Sequence, residues 1–184
     1  MREIYLDDNV SLLQSVHSDL PELLKVCLQT ANSGSDATHL HNLHDLVGDI
    51  YLAPYILYEP EFSFTLKTKE KVVGYVLAVL NTANFESRLE AEYWPTTQAK
   101  YAKFTEGLTQ HDLRLIKKLG EQGSSAPELI AKYPSHLHID IIECHQGLGY
   151  GKFMMKHLLK KLKNFGSIGV HLHMSSTNTR AKGF

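Results

Sequence analysis

His136-Leu137-His138-Ile139-Asp140-Ile141-Ile142-Glu143-Cys144-His145-Gln146-Gly147-Leu148-Gly149-Tyr150-Gly151-Lys152 is the stretch on which the fold turns. Residues 136–142 alternate polar with apolar side chains, the pattern of a strand half-buried in a sheet. Beyond the glycines, Met154, Met155, Leu158, Leu159, Leu162 and Phe165 recur at helical spacing, while Lys152, Lys156, Lys160 and Lys163 fall on another face. Gly166 is placed to end that helix in a left-handed cap. A glycine-rich turn between strand and helix leaves several N–H groups aimed at one point, and the positive end of the helix dipole adds to them. The stretch therefore predicts a phosphate or pyrophosphate site and a nucleotide-like cofactor.

Spacing narrows the choice. A dinucleotide fingerprint starting at Gly147 needs glycine where Lys152 stands, and an acid about twenty residues on, where residues 167–173 offer none. A P-loop needs glycine at Gln146 and a hydroxyl at Phe153. The pattern that fits is Q-x-x-G-x-G, met by Gln146, Gly149 and Gly151. On these residues the chain resembles the GNAT acetyltransferase superfamily, whose loop of this pattern binds the coenzyme A pyrophosphate. Asn178-Thr179-Arg180-Ala181-Lys182-Gly183-Phe184 is similar to the N-x-x-A-x-x-F segment that comes after the family's fifth strand. Tyr133-Pro134-Ser135-His136-Leu137-His138-Ile139-Asp140 resembles the subgroup related to the acetyltransferase-like domain of O-GlcNAcase, where a helical insertion precedes the fourth strand.

The rest of the chain reads outward from there. Residues 2–6 predict a short strand. Leu12, Leu13, Val16, Leu20, Leu23, Leu24 and Leu28 recur at roughly helical spacing, predicting one helix to about Ser18 and a second from Pro21. Asp36 is placed to cap a helix running through His39, Leu43, Leu46 and Val47 toward Ile50, and Pro54 and Pro60 punctuate the next stretch. Residues 62–66 and 71–81 predict a hairpin about a turn at 67–70. Residues 83–131 are helical in character, interrupted at Pro95, Gly107, Gly120 and Gly123. Residues 170–174 predict a last strand, and Asn178 a cap on a last helix.

The fold expected is α/β: a GNAT-like, mostly antiparallel mixed sheet with splayed parallel strands at the cofactor site, flanked by helices, in one domain over residues 1–184. Two departures from the family stand out. Glu143 replaces a proline common after the fourth strand. The tyrosine expected directly after Phe184, as the acid for the departing thiolate, and the strands after it are not in the sequence, so the last helix and C-terminal strands read as missing.

Composition sets outer limits. Hydrophobic content of 43%, charged content of 21% and a formal net charge of −1 over 184 residues suit a globular domain and give no electrostatic case for nucleic acid or an anionic membrane. Charge at the N-terminus argues against a signal peptide, and no apolar run approaches the roughly 18 residues of a membrane span. Cys27 and Cys144 are too few for a disulfide framework. A reduced, cytoplasmic protein is expected, of open oligomeric state.

The resemblance implies that Gln146, Gly147, Leu148, Gly149, Tyr150, Gly151 and Lys152 hold the pyrophosphate of acetyl-CoA; the bland alternative is a plain helix entry, and Lys152 is as readily a solvated lysine. It also implies that the main chain at Ile141 and Ile142 meets the pantetheine and thioester, an Ile141 amide polarising the carbonyl. Asn178 either bonds the pantetheine arm or caps a helix. Asp140 is the candidate general base, with a carboxylate simply bonded to backbone or histidine as the alternative. Glu143 is a second candidate base. His136/His138 and His171/His173 each share a sheet face; a polar acceptor cleft is expected of them rather than a zinc site. Tyr93 and Trp94 are candidates for the acceptor pocket, and Cys144 for a bystander. The activity implied is acetyl-CoA-dependent transfer to a primary amine, small or peptidic, by direct attack. The alternative is an inactive relative that binds coenzyme A or a protein partner.

Overall fold

The computed structural model describes residues 4–7, 9–175, 178 and 183. Among these, six strands form one sheet in chain order: β1 (Ile4–Asp7), β2 (Val10–Gln14), β3 (Ser63–Thr68), β4 (Val72–Val79), β5 (Ser135–Ile141) and β6 (Val170–His171). Every neighbouring pair is antiparallel except β5 and β6, which run parallel. Helices cover both faces: α1 (Leu20–Leu28), α2 (Leu46–Tyr51), α3 (Ala53–Tyr58), α4 (Thr82–Arg88), α5 (Trp94–Tyr101), α6 (Gln110–Gly120), α7 (Pro127–Lys132) and α8 (Tyr150–Asn164).

The helix α8 forms as its spacing predicts. Met154, Leu158 and Leu162 are wholly buried, each such side chain worth about 1.5–3 kcal/mol. They pack on β4 and β5, on the face where Phe64, Val76 and Ile139 align by register. The ring of His157 meets Phe64 edge-on at 4.7 Å on this face. Leu159 and Phe165, expected in the same stripe, are 40% and 48% exposed, so the buried stripe is narrower than the sequence suggests. Gly166 stops the helix at φ 90°, with its amide on the Lys163 carbonyl and the Ser167 amide on Leu162. The hairpin of β3 and β4 also forms as expected.

Four expectations fail. Residues 10–14 are a strand, not a helix. Their leucines lie near helical spacing, but Val10 and Leu12 alternate inward and pair with Thr68 and Leu66, and the waiting edge of β3 overrides local pattern. The Asp36 carboxylate accepts from the Thr38 amide at 2.7 Å and caps only the short 3-10 turn Thr38–Leu40, with α2 beginning later at Leu46. Residues 170–174 supply two strand residues rather than five. Pro95 interrupts nothing: it occupies the first turn of α5, where no intrahelical donor is needed, after a π-helical segment Leu89–Tyr93. The last helix proposed at Asn178 lies outside the described residues.

The insertion between β4 and β5 is tied down by polar bonds. Asp112 is fully buried; its carboxylate accepts from the amides of Thr109 and Asn42, both at 3.0 Å, and bonds the His41 ring at 2.9 Å. The Thr109 hydroxyl accepts from the Asp112 amide in return, completing a capping box on α6.

Candidate functional site

β5 is the axis of the site. It pairs with β4 along its length, from His136↔Val79 to Ile141↔Gly74, but with β6 only at Ser135↔Val170 and His136↔His171. Past His136 no described strand covers that side. The Ile142 amide donates to Val73 at 3.0 Å and the Ser135 amide to Gly169 at 3.2 Å. These two bonds fix the alternation: even-numbered residues turn their main chain to β4, odd-numbered ones to the opposite side. Ile139 and Ile141 therefore present their amides to the uncovered side. The Ile141 carbonyl is taken by the Gln146 side-chain amide at 2.7 Å, which also reaches the Gly34 carbonyl at 3.2 Å. Ile142 is different from what the resemblance implies. Its amide serves the sheet and its carbonyl accepts from His145 at 2.9 Å, so its amide is not open to a ligand.

Close approach of β5 to β4 depends on Gly74. A Cβ there would lie 2.7 Å from the Asp140 carbonyl oxygen, inside contact distance.

Below this open edge the chain turns through Gly147 and Gly149 at φ 76° and 84°, a left-handed conformation that other L residues resist. Neither would bring a Cβ within 4 Å of another group, so the glycines are demanded by backbone conformation and the space above them is clear. The first bond of α8 runs from the Phe153 amide to Gly149 at 3.2 Å, leaving the amides of Gly149, Gly151 and Lys152 without intrahelical acceptors. Leu148 is 60% exposed and Lys152 is exposed, whereas Tyr150 packs partly on the core. The turn can cradle an anion of the size of a pyrophosphate. Asn178 is half-buried beside Gly34, its amide on the Ser175 carbonyl at 3.0 Å.

On the face opposite α8, Asp140, His138 and His136 stand in a row, aligned with Tyr75, Leu77 and Val79 of β4. Asp140 lies toward α1. The Tyr75 hydroxyl donates to it at 2.7 Å and Thr30 adds a second hydroxyl. Burial raises its carboxyl from 3.8 to about 6, the two hydroxyls pulling the other way. Beside it, burial drives the Cys27 thiol up to about 12, so this cysteine is an inert core group.

At the His136 end the same row opens into a cavity of about 580 Å³, walled by Tyr55, Phe85 and Trp94, with His136, His138, His171 and His173 together along one side. Asp140 does not line it, and neither does Tyr93, whose hydroxyl donates to the Asp49 carbonyl at 2.8 Å. Both His136 nitrogens are engaged, with the Tyr55 hydroxyl at 2.7 Å and the Thr82 hydroxyl at 2.8 Å. Burial, reinforced by the neighbouring histidines, lowers His136 to about 3; burial, His173 and Lys118 lower His138 to about 4. His136 and His138 thus line the cavity as uncharged imidazoles at neutral pH. His171 donates from Nδ1 to the Tyr133 carbonyl at 2.8 Å. Among the described residues no group of three His, Cys, Asp or Glu side chains is arranged to hold a metal ion. Cys144 is exposed, with its sulfur 3.1 Å from His145 Nδ1.

Tyr55, Tyr75, Thr30 and Thr82 are not singled out by the sequence. Tyr75 reaches Asp140 through the pairing of β4 with β5, and the others reach β5 only because α1, α3 and α4 fold over it; no local signal marks that.

The fold that carries this arrangement recurs in known proteins. No protein-family model matches the chain. The O-GlcNAcases of Rattus norvegicus and Mus musculus are each 23% identical over 168 residues, 90% of this chain and 18% of theirs, so the chain spans less than a fifth of their length. Among solved structures, that of SsHAT superposes with a TM-score of 0.83 at 29% identity, over 96% of this chain and 88% of that one. The chain has the GNAT acetyltransferase fold. Two further structures share it: an apo agmatine N-acetyltransferase mutant, with a TM-score of 0.53 at 14% identity over 95% of this chain and 80% of that one, and the polyamine N-acetyltransferase of Drosophila melanogaster, with 0.52 at 13% over 95% and 82%. The GNAT fold supports acyl transfer to amines in general. Among the described residues no helix is long and apolar enough to cross a membrane.

Proposed function

We propose that this chain transfers an acetyl group from acetyl-CoA to a primary amine. The observation that carries this is the departure of β6 from β5 after His136, directly above an amide-rich glycine turn. Together these offer strand-like amides for a pantetheine arm and a positive pole for its diphosphate. Acetyl-CoA supplies an activated acyl carbon.

The chain's own residues supply the rest. Amides at residues 147–152 bind the diphosphate, and Lys152 adds charge beside them. Gln146 binds no phosphate in this scheme; it braces the turn against Ile141 and Gly34. The Ile141 amide polarises the acyl carbonyl and holds the negative charge that develops on its oxygen. Asn178 lines the same channel from the far side. Asp140 holds Tyr75 and the strand in place and does not line the cavity. The cavity receives the acceptor; the fold neighbours' substrates, agmatine and polyamines, make small aliphatic amines the first class to try.

Calorimetry with acetyl-CoA and a thiol-release assay over agmatine, spermidine, aromatic amines and a lysine peptide test this. Micromolar binding with turnover of at least one amine is expected. Absence of any acetyl-CoA binding would overturn it.

A further inference from the structure

We infer that His138 is the catalytic residue that takes the proton from the attacking amine, an inference that rests on the acetyl transfer proposed above. The cavity contains four imidazoles, and geometry separates them. His136 has both ring nitrogens in hydrogen bonds with Tyr55 and Thr82. His171 has Nδ1 committed to the Tyr133 carbonyl, and His173 is exposed. His138 is part-buried and lines the cavity, and its ring makes no hydrogen bond to any described residue. No buried side-chain nitrogen or oxygen among the described residues lacks a partner, so the His138 nitrogens are not sealed in the core; they open on the cavity. The edge of the Tyr55 ring, with centroids 5.2 Å apart, fixes the imidazole from one side.

His138 also immediately precedes Ile139 and stands three residues before Ile141, the two residues whose amides face the uncovered edge of β5. An acyl carbon held at that edge is approached by an amine coming from the His138 face. Asp140, one strand repeat further on, about 7 Å away, has its carboxylate bound by Tyr75 and Thr30. The neutral state of His138 near pH 7, enforced by burial, His173 and Lys118, keeps a lone pair available. The same burial makes the ring a weak base, suited to take the proton from the acidic N–H of the tetrahedral adduct and not from a free ammonium. In the step itself, the amine nitrogen forms a bond to the acyl carbon, and the carbon–sulfur bond breaks. The sulfur leaves with the electron pair. The proton lost by nitrogen goes to His138 and from there to the thiolate, giving the amide and free coenzyme A.

The test uses His138→Gln and His138→Gly in the full chain, with the amine that the wild type turns over fastest. Expected for both is a loss in kcat of about 10²-fold or more, with the KM for acetyl-CoA within about threefold of the wild type. Added imidazole should restore His138→Gly by about tenfold or more, with the rate tracking the pKa of substituted imidazoles. Calorimetric binding of coenzyme A verifies that each variant is folded. A His138→Gln enzyme with more than about a third of the wild-type kcat would overturn the assignment. So would a folded, coenzyme-binding His138→Gly enzyme that no imidazole rescues. If both variants misfold, imidazole NMR on the wild type decides: the His138 ring signals must shift when the amine is added, and unmoved signals overturn the proposal. A wild type that turns over an amine while its variants fail these tests overturns this assignment alone; a wild type that turns over no amine, or binds no acetyl-CoA, overturns the parent function as well.

Discussion

Replacing Asp140 by Asn should make the protein more stable at neutral pH, and the gain should vanish in acid. Folded Asp140 keeps its proton up to about pH 6, because burial disfavours its anion, whereas a carboxyl in the unfolded chain releases it near 3.8. Between those values the folded state binds more protons than the unfolded one. Stability therefore falls as pH rises through this window and levels off above about 6. At 1.36 kcal/mol per pKa unit the full loss is about 3 kcal/mol. The part of the side chain still in contact with solvent lowers this to about 1–3 kcal/mol. Asn cannot ionise, yet its carbonyl still accepts from Tyr75, so the variant escapes the loss. Urea unfolding of wild type and variant at about pH 4.5 and about pH 8 measures the difference. The expected result is near-equality in acid and a variant ahead by about 1–3 kcal/mol at the higher pH, or about 2–10 °C in Tm. A variant no more stable than wild type at about pH 8, or a margin that does not change with pH, would refute the reasoning.

Gly149→Val places a β-branched residue at φ 84° where the helix begins; it should cost about 1–2 kcal/mol and weaken coenzyme A binding by about tenfold or more in calorimetry. Gly74→Val sets a Cβ 2.7 Å from the Asp140 carbonyl, and forcing β5 away from β4 should lower stability by about 1–3 kcal/mol, read by thermal unfolding. Asp112→Ala strands the His41 ring and two part-buried amides. A loss of about 3 kcal/mol or more is expected by denaturant titration, with hydrogen exchange speeding up across α6 first.

Much of the scaffold is legible residue by residue. The α8 stripe, its Gly166 stop and the β3–β4 hairpin each rest on neighbours three or four residues apart, or two, and those periods are printed in the chain. The glycine turn is legible for the same reason: left-handed backbone is a demand made on a single residue. Val10–Gln14 defeats such a reading because a segment of only five residues suits helix and strand alike. Its fate is settled by β3, some 50 residues away. The reach of β6 is overstated on similar grounds, since alternation in residues 170–174 says nothing of how far a partner stays alongside.

What the amino-acid order determined alone is therefore local: which segments curl, which extend, and where the backbone must turn left-handed above a helix dipole. What only the tertiary structure decided is which groups are consumed and which are left over. Tyr75 and Thr30 take Asp140, Tyr55 and Thr82 take His136, Val73 takes the amide of Ile142, and His138 remains. The physical reason is that hydrogen bonds and burial join residues distant along the chain, so the chemistry left to a side chain depends on every element folded against it.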